Sequence, residues 1–152
     1  KFMATVDVPY QPVALKAVGY IDGEPVTPYQ IETVDASAKL RLTPDRDTLR
    51  AEAGDLSFVI VEVVDQVGRV DPNADHEIFF TVQGPGTIAA VGNGNPVSTE
   101  RYRGNQRRAY RGRCLVVVKA DGEPGEIHLR AQADDLDVAE IIIQVALPMP
   151  SQ

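Results

Sequence analysis

The run Leu56-Ser57-Phe58-Val59-Ile60-Val61-Glu62-Val63-Val64 constrains this chain more than any other stretch. Successive side chains of an extended strand point to opposite faces. Leu56, Phe58 and Ile60 therefore fall on one side, and Val59, Val61 and Val63 on the other. Both sides are apolar, and the β-branched residues among them suit a pleated surface better than a helix. The run is predicted to lie in the middle of a sheet, covered on each face. On that reading Phe58→Ala destabilises by about 3–5 kcal/mol, as large core truncations do.

The rest of the chain repeats the theme. Valine, isoleucine and threonine number 20, 9 and 8, against 9 leucines and 2 methionines. No amphipathic helix of three turns and no fixed-period repeat is legible. Strands are predicted at Lys39 to Thr43 (Leu40 and Leu42 on one face), Thr48 to Glu52, Leu56 to Val64 and Glu77 to Gln83, with Ile78, Phe80 and Val82 inward. Further strands are predicted at Thr87 to Val91, Cys114 to Ala120, Ile127 to Ala133 and Val138 to Leu147. Turn signals fall between them at the spacing of a β-sandwich. Upstream, Val13 to Ile21 and Ile31 to Val34 flank Asp22-Gly23, a two-residue hairpin signal because both positions want φ > 0. Ala4 to Val8 reads as another short strand, ended by Pro9 and Pro12. The expected architecture is all-β: an immunoglobulin-like antiparallel β-sandwich over 36–147 and a short N-terminal β-hairpin unit over 1–35, the tail of a preceding small β domain. Residues 148–152, with Pro148 and Pro150, are expected to be a disordered tail.

Size and charge remove several function classes. The 152 residues suit one domain with an appended piece and are too few for a (β/α)₈ barrel, which needs roughly 200 or more. With 43% hydrophobic and 24% charged residues the chain is globular. A net charge of −7 argues against nucleic acid, and no apolar run nears the roughly 18 residues of a membrane span. Because Lys1 is not an initiator methionine, the chain is expected to be cut from a longer one.

Chemistry-bearing residues are sparse. His76 and His128 stand beside no serine and in no nucleophile elbow, and read as surface histidines. Cys114 alternates with Val116 and Val118, as a small buried hydrophobe does. Most carboxylates (Asp45, Asp47, Asp65, Asp71, Asp75, Asp121, Asp134, Asp135) lie in turns, where Asp bonds the backbone, and are expected to be solvated. Asp71-Pro72-Asn73-Ala74-Asp75 lacks the full EF-hand pattern. The glycines of Gly92-Asn93-Gly94 are expected to allow left-handed backbone in a tight loop, not to cradle phosphate. No catalytic, cofactor or metal residue is assigned. Arg101 to Arg113 is the least ordinary segment, with six arginines, two tyrosines and no acid in thirteen positions. Its favoured reading is a solvated edge whose arginines pair with the chain's own acids. The docking or glycan surface it offers, with the loop before it, is Asn93, Asn95, Tyr102, Arg107, Arg108 and Tyr110.

Particular strings carry more than these counts. Val8-Pro9-Tyr10-Gln11-Pro12, Leu15-Lys16-Ala17-Val18-Gly19-Tyr20 and Asp22-Gly23 resemble the end of a small domain behind the catalytic barrel of bacterial family 2 glycoside hydrolases, the β-galactosidase-like enzymes. Leu42-Thr43-Pro44-Asp45-Arg46, Asp55-Leu56-Ser57-Phe58-Val59, Val61-Glu62-Val63, Gly92-Asn93-Gly94 and Gly112-Arg113-Cys114-Leu115 resemble their next, C-terminal immunoglobulin-like domain. The chain departs from the family at Val13, where Gly is usual, and near Val6, where an aromatic is usual. The resemblance implies a non-catalytic accessory sandwich, because the family's catalytic glutamates lie in a barrel this chain does not contain. It implies a secreted or periplasmic parent that removes β-linked sugars, no cofactor, and preceding modules of the same polypeptide as partners. A glycan and a homo-oligomer contact through the parent are further partners it admits; nucleic acid and membrane are not. Two alternatives stand beside it: a carbohydrate-binding module, weakened by the absence of tryptophan, and an adhesin-type immunoglobulin repeat.

Overall fold

The structure, a computed structural model, describes residues 5–9, 14–26 and 28–147. Every element among them is a strand. The chain divides into two compact units, Lys1–Val34 and Asp35–Gln152.

In the first unit β1 (Ala14–Ala17) pairs antiparallel with β4 (Tyr29–Glu32), and β2 (Tyr20–Ile21) with β3 (Glu24–Pro25). The predicted turn is present: Asp22 and Gly23 have φ of 51° and 86°, the mirror-image geometry that matches strand twist. Residues 5–8 are not a strand; Pro9 follows at once and removes a ladder donor. Ala4, Pro12 and Val13 lie outside the described residues, as does the tail expected at 148–152.

The second unit is a two-sheet sandwich. One sheet runs β5 (Lys39–Pro44), β7 (Leu56–Val64), β11 (Arg113–Ala120), β9 (Gly86–Gly92), all antiparallel. The other runs β10 (Gln106–Arg108), β8 (Glu77–Gln83), β12 (Gly125–Gln132), β13 (Ala139–Ala146), β6 (Thr48–Arg50). The first order is that of immunoglobulin strands A-B-E-D, and β8-β12-β13 is C-F-G. The chain passes from one sheet to the other between two edge strands: β5 pairs with β7, and β6, which follows it, pairs parallel with β13. The predicted strands are all present; β10, inside the arginine-rich segment, is additional.

Alternation builds the core. Val59, Val61 and Val63 of β7 and Cys114, Val116 and Val118 of β11 face Ile78 and Phe80 of β8, Ile127 and Leu129 of β12, and Ile143 and Val145 of β13. Leu40 joins them, with Leu42 and Val82 packed at the margin. β7 does lie mid-sheet, between β5 and β11, but only one of its faces is covered: Phe58 is 43% exposed and Ile60 47% exposed. Among the described residues of this unit no strand layer lies over the second apolar side of the run.

Two turns tie the sandwich's end. Arg111 and Gly112, at φ 52° and 76°, form a two-residue hairpin turn between Tyr110 and Arg113, whose backbones exchange hydrogen bonds of 2.8 and 3.2 Å. A Cβ on Gly112 would stand 2.2 Å from the carbonyl oxygen of Asp71, so only glycine fits there. Asp65, expected to be solvated, is instead fully buried. Its Oδ1 accepts from the amides of Val67 (3.1 Å) and Arg69 (2.8 Å), and its Oδ2 from Arg69 Nε (2.7 Å) and the amide of Asp35 (3.3 Å). Burial pushes its pKa up, but these bonds and the Arg69 charge outweigh it and hold the carboxyl at about 2.

Candidate functional site

Chemistry needs groups that converge, and the convergences among the described residues are ion pairs, such as Arg41 and Arg113 on Glu62. Among the described residues no three His, Cys, Asp or Glu side chains gather where an ion would sit. Asp71 serves a turn, its carboxylate accepting from Ser37 Oγ (2.6 Å) and the amide of Asn73 (2.9 Å). His128 and Glu126 lie on the outer face of the five-stranded sheet, Nε2 to Oε2 3.5 Å and both about half exposed. Cys114 is buried, and burial pushes its thiol pKa up to about 12, far from a nucleophilic thiolate.

The arginine segment is held by the chain's own acids. Arg113 Nε pairs with Glu62 Oε1 at 3.0 Å, and Arg108 Nη1 lies 3.6 Å from Asp75 Oδ2. Arg107 cannot belong to a docking surface, because it is 1% exposed. On β10 it sits opposite Ile78 and turns inward. Its Nη2 donates to Asn93 Oδ1 (3.0 Å) and Ser98 Oγ (3.3 Å), its Nη1 donates to the Glu100 carbonyl (3.2 Å), and its Nε lies 3.6 Å from Glu100 Oε2. The Tyr102 ring caps it, with its centroid 5.3 Å from the guanidinium carbon. Arg107 is therefore an internal staple that fastens the 92–105 loop to the sandwich.

The other candidates follow from that staple. Asn93 Oδ1 also accepts from the Asn95 amide (3.1 Å), and its Nδ2 donates to the Arg108 carbonyl (2.7 Å). Asn95 Oδ1 accepts from the Val97 amide (3.1 Å). Both asparagines thus shape the loop. Gly92 and Gly94 are not left-handed, contrary to expectation. The rings of Tyr102 and Tyr110 pass 3.8 and 3.9 Å from where their Cβ atoms would stand. Tyr102 remains 68% exposed.

Of the six sequence candidates, Tyr102 and Asn93 border a common feature, and Asn95, Arg107, Arg108 and Tyr110 do not. Tyr102, with Ile60, Ala90, Gly92, Leu115 and Val117, lines an open groove of about 500 Å³ on the outer face of the four-stranded sheet, with Arg113 and Asn93 at its rim. The lining is mostly apolar. Ile60, Ala90, Leu115 and Val117 were not singled out beforehand. Part of the signal lay in β7, which reads apolar on two sides and neighbours β11.

Comparison with known proteins is consistent with this geometry. The family described as Glycoside hydrolase family 2 C-terminal domain 5 matches residues 40–142. The chain is 45% identical over 136 residues to Beta-galactosidase BoGH2A of Bacteroides ovatus, covering 90% of this chain and 16% of that one. It superposes on a glycosyl hydrolase family 2 member from Bacteroides cellulosilyticus with a TM-score of 0.89 at 37% identity, over 91% of this chain and 18% of the other. It superposes on a β-glucuronidase from glycoside hydrolase family 2 with a TM-score of 0.84 at 26% identity, over 95% and 15%. The chain thus spans about a sixth of the length of the relatives it matches. With a sandwich of immunoglobulin order and a family match across most of it, the chain belongs to the glycoside hydrolase family 2 C-terminal domain 5 family.

Proposed function

We propose that this chain is a non-catalytic accessory sandwich of a family 2 glycosidase, the parent removing terminal β-linked sugars, galactose first among them. One observation carries the reading: the family model for a glycoside hydrolase family 2 C-terminal domain matches residues 40–142 of a chain that is about a sixth of its relatives' length. The apolar groove beside Tyr102 is bordered by polar groups bonded within the chain. Such a surface favours protein contact over bond-breaking or sugar capture, since a sugar site presents free donors and acceptors. The galactoside preference follows the name of the 45% identical relative; glucuronides, named for another relative, are the competing substrate. The sandwich supports the catalytic barrel or an oligomer contact. The parent acts in the periplasm or outside the cell, which fractionation of the source bacterium tests.

The full-length parent should cleave nitrophenyl β-galactoside, while a clean preparation of this chain should cleave no nitrophenyl glycoside. Titration of the chain with galactosides should give no saturable binding. Turnover by the chain would overturn the reading; millimolar binding lost in Tyr102→Ala or Tyr110→Ala would favour the carbohydrate-binding alternative.

A further inference from the structure

We propose that the outer face of the four-stranded sheet is the surface by which this sandwich docks onto a module of its own parent enzyme outside these 152 residues, the groove between Ile60, Leu115 and Val117 receiving an apolar ridge of that module. The inference rests on the accessory reading above and adds the face to it. Strands that are apolar on both sides occur where both sides are covered. β7 has that pattern, yet among the described residues its outer side is only partly covered: Phe58 and Ile60 stay nearly half exposed, while Val117 of β11 beside them is buried. The outer face of the other sheet is more mixed: exposed Phe79 and Ile142 stand among Thr81, Gln83, His128, Arg130 and Glu140, which line a shallow, mostly polar depression.

The rim polar groups make the apolar face inexpensive to bury. Glu62 accepts from Arg41 Nη2 (2.6 Å) and Nε (2.9 Å) and from Arg113 Nε (3.0 Å), while both ends of the Asn93 amide are bonded inside the loop. An apolar occupant would leave Glu62 and the Asn93 amide bonded, with the Arg113 guanidinium at the edge, 59% exposed. Two arginines around one glutamate leave that rim with one net positive charge on a chain of −7. The opposing module is therefore expected to be acidic at its edge. Relatives of which this chain is 16–18% supply ample polypeptide to provide it, and a covalently attached partner docks at high effective concentration.

The test uses the full-length parent and a matched pair of positions. Ile60 and Ile142 are 47% and 48% exposed in this chain, on opposite outer faces. In the native parent, maleimide should modify Ile60→Cys at least about tenfold more slowly than Ile142→Cys, as expected inside a dry, packed contact. Ile60→Glu should also lower the melting temperature and speed proteolytic release of the sandwich, with Ile142→Glu close to the unaltered parent. Equal labelling of the two cysteines would overturn the proposal. So would protection of Ile60→Cys that disappears when dilution converts the parent to monomers, because the occupant would then be a second copy. Equal labelling in a parent that cleaves galactosides normally removes the docking face alone; an intact docking face on a parent without glycosidase activity removes the accessory reading alone.

Discussion

The cost of truncating a phenylalanine depends on which side of its strand it occupies. Phe80 is 1% exposed between the sheets, and Phe80→Ala should destabilise by about 3–5 kcal/mol, combining lost transfer energy with a cavity. Phe58, 43% exposed, has water to fill the space its ring leaves. Phe58→Ala should cost only about 1 kcal/mol in this chain, half of a full burial term and no cavity. Denaturant melts of the two variants side by side check this; equal losses would place both rings in the core. Cys114 gives a second test. With its thiol pKa at about 12 and its side chain buried, it should resist iodoacetamide in the native state at mildly alkaline pH and react at the normal thiol rate once unfolded. Rapid native labelling, read by mass spectrometry, would contradict that burial.

Elements here are held as much by single polar side chains as by their ladders. β10 is a three-residue edge strand, and Arg107 ties it to the 92–105 loop through three acceptors. Arg107→Ala should cost about 3 kcal/mol, because it empties a buried site and removes three hydrogen bonds and the charge that faces Glu100. Arg107→Lys should recover little, since one ammonium cannot reproduce a planar fork; full recovery in a urea titration would reduce the staple to a point charge. Asp65 does the same for the turn after β7. Its folded pKa of about 2 lies below the ordinary 3.8, so its stabilisation is complete above 3.8 and is lost as pH falls towards 2. Asp65→Asn should therefore be less stable than the unaltered chain at neutral pH, and the gap should narrow as the two melts are compared at falling pH. A gap independent of pH would deny the carboxylate its role. Strand periodicity made β7 and β8 legible to the residue, because alternation is written into neighbouring positions. The Arg107 staple was not legible: its acceptors lie seven to fourteen residues away, and an arginine between arginines reads as solvated. Nor was the bare side of β7, because a strand's own residues do not say which piece of polypeptide covers them.

Taken whole, the second unit has one flank with an open apolar groove and one without, and that asymmetry decides how it behaves apart from its parent. The five-stranded sheet turns Glu126, His128, Arg130, Glu140 and Gln144 outward around Ile142, while the four-stranded sheet presents Ile60, Leu115 and Val117 along an apolar groove, with Phe58 exposed on the same face. Contiguous apolar surface of this kind marks a contact site. The Asp35–Gln152 unit produced alone should melt cooperatively, since its core is closed between the sheets without help. It should nevertheless enhance the fluorescence of a hydrophobic dye, as the native parent does not. A loosened core also binds such dyes, so the decisive comparison is a double variant, Ile60→Glu with Leu115→Glu, which charges the groove and leaves the core untouched. That variant should keep the cooperative melt and lose most of the dye signal. If the signal survived in a variant that still melted cooperatively, the exposed apolar surface would have to lie elsewhere on the unit, and the four-stranded sheet would lose its distinction as the more apolar flank.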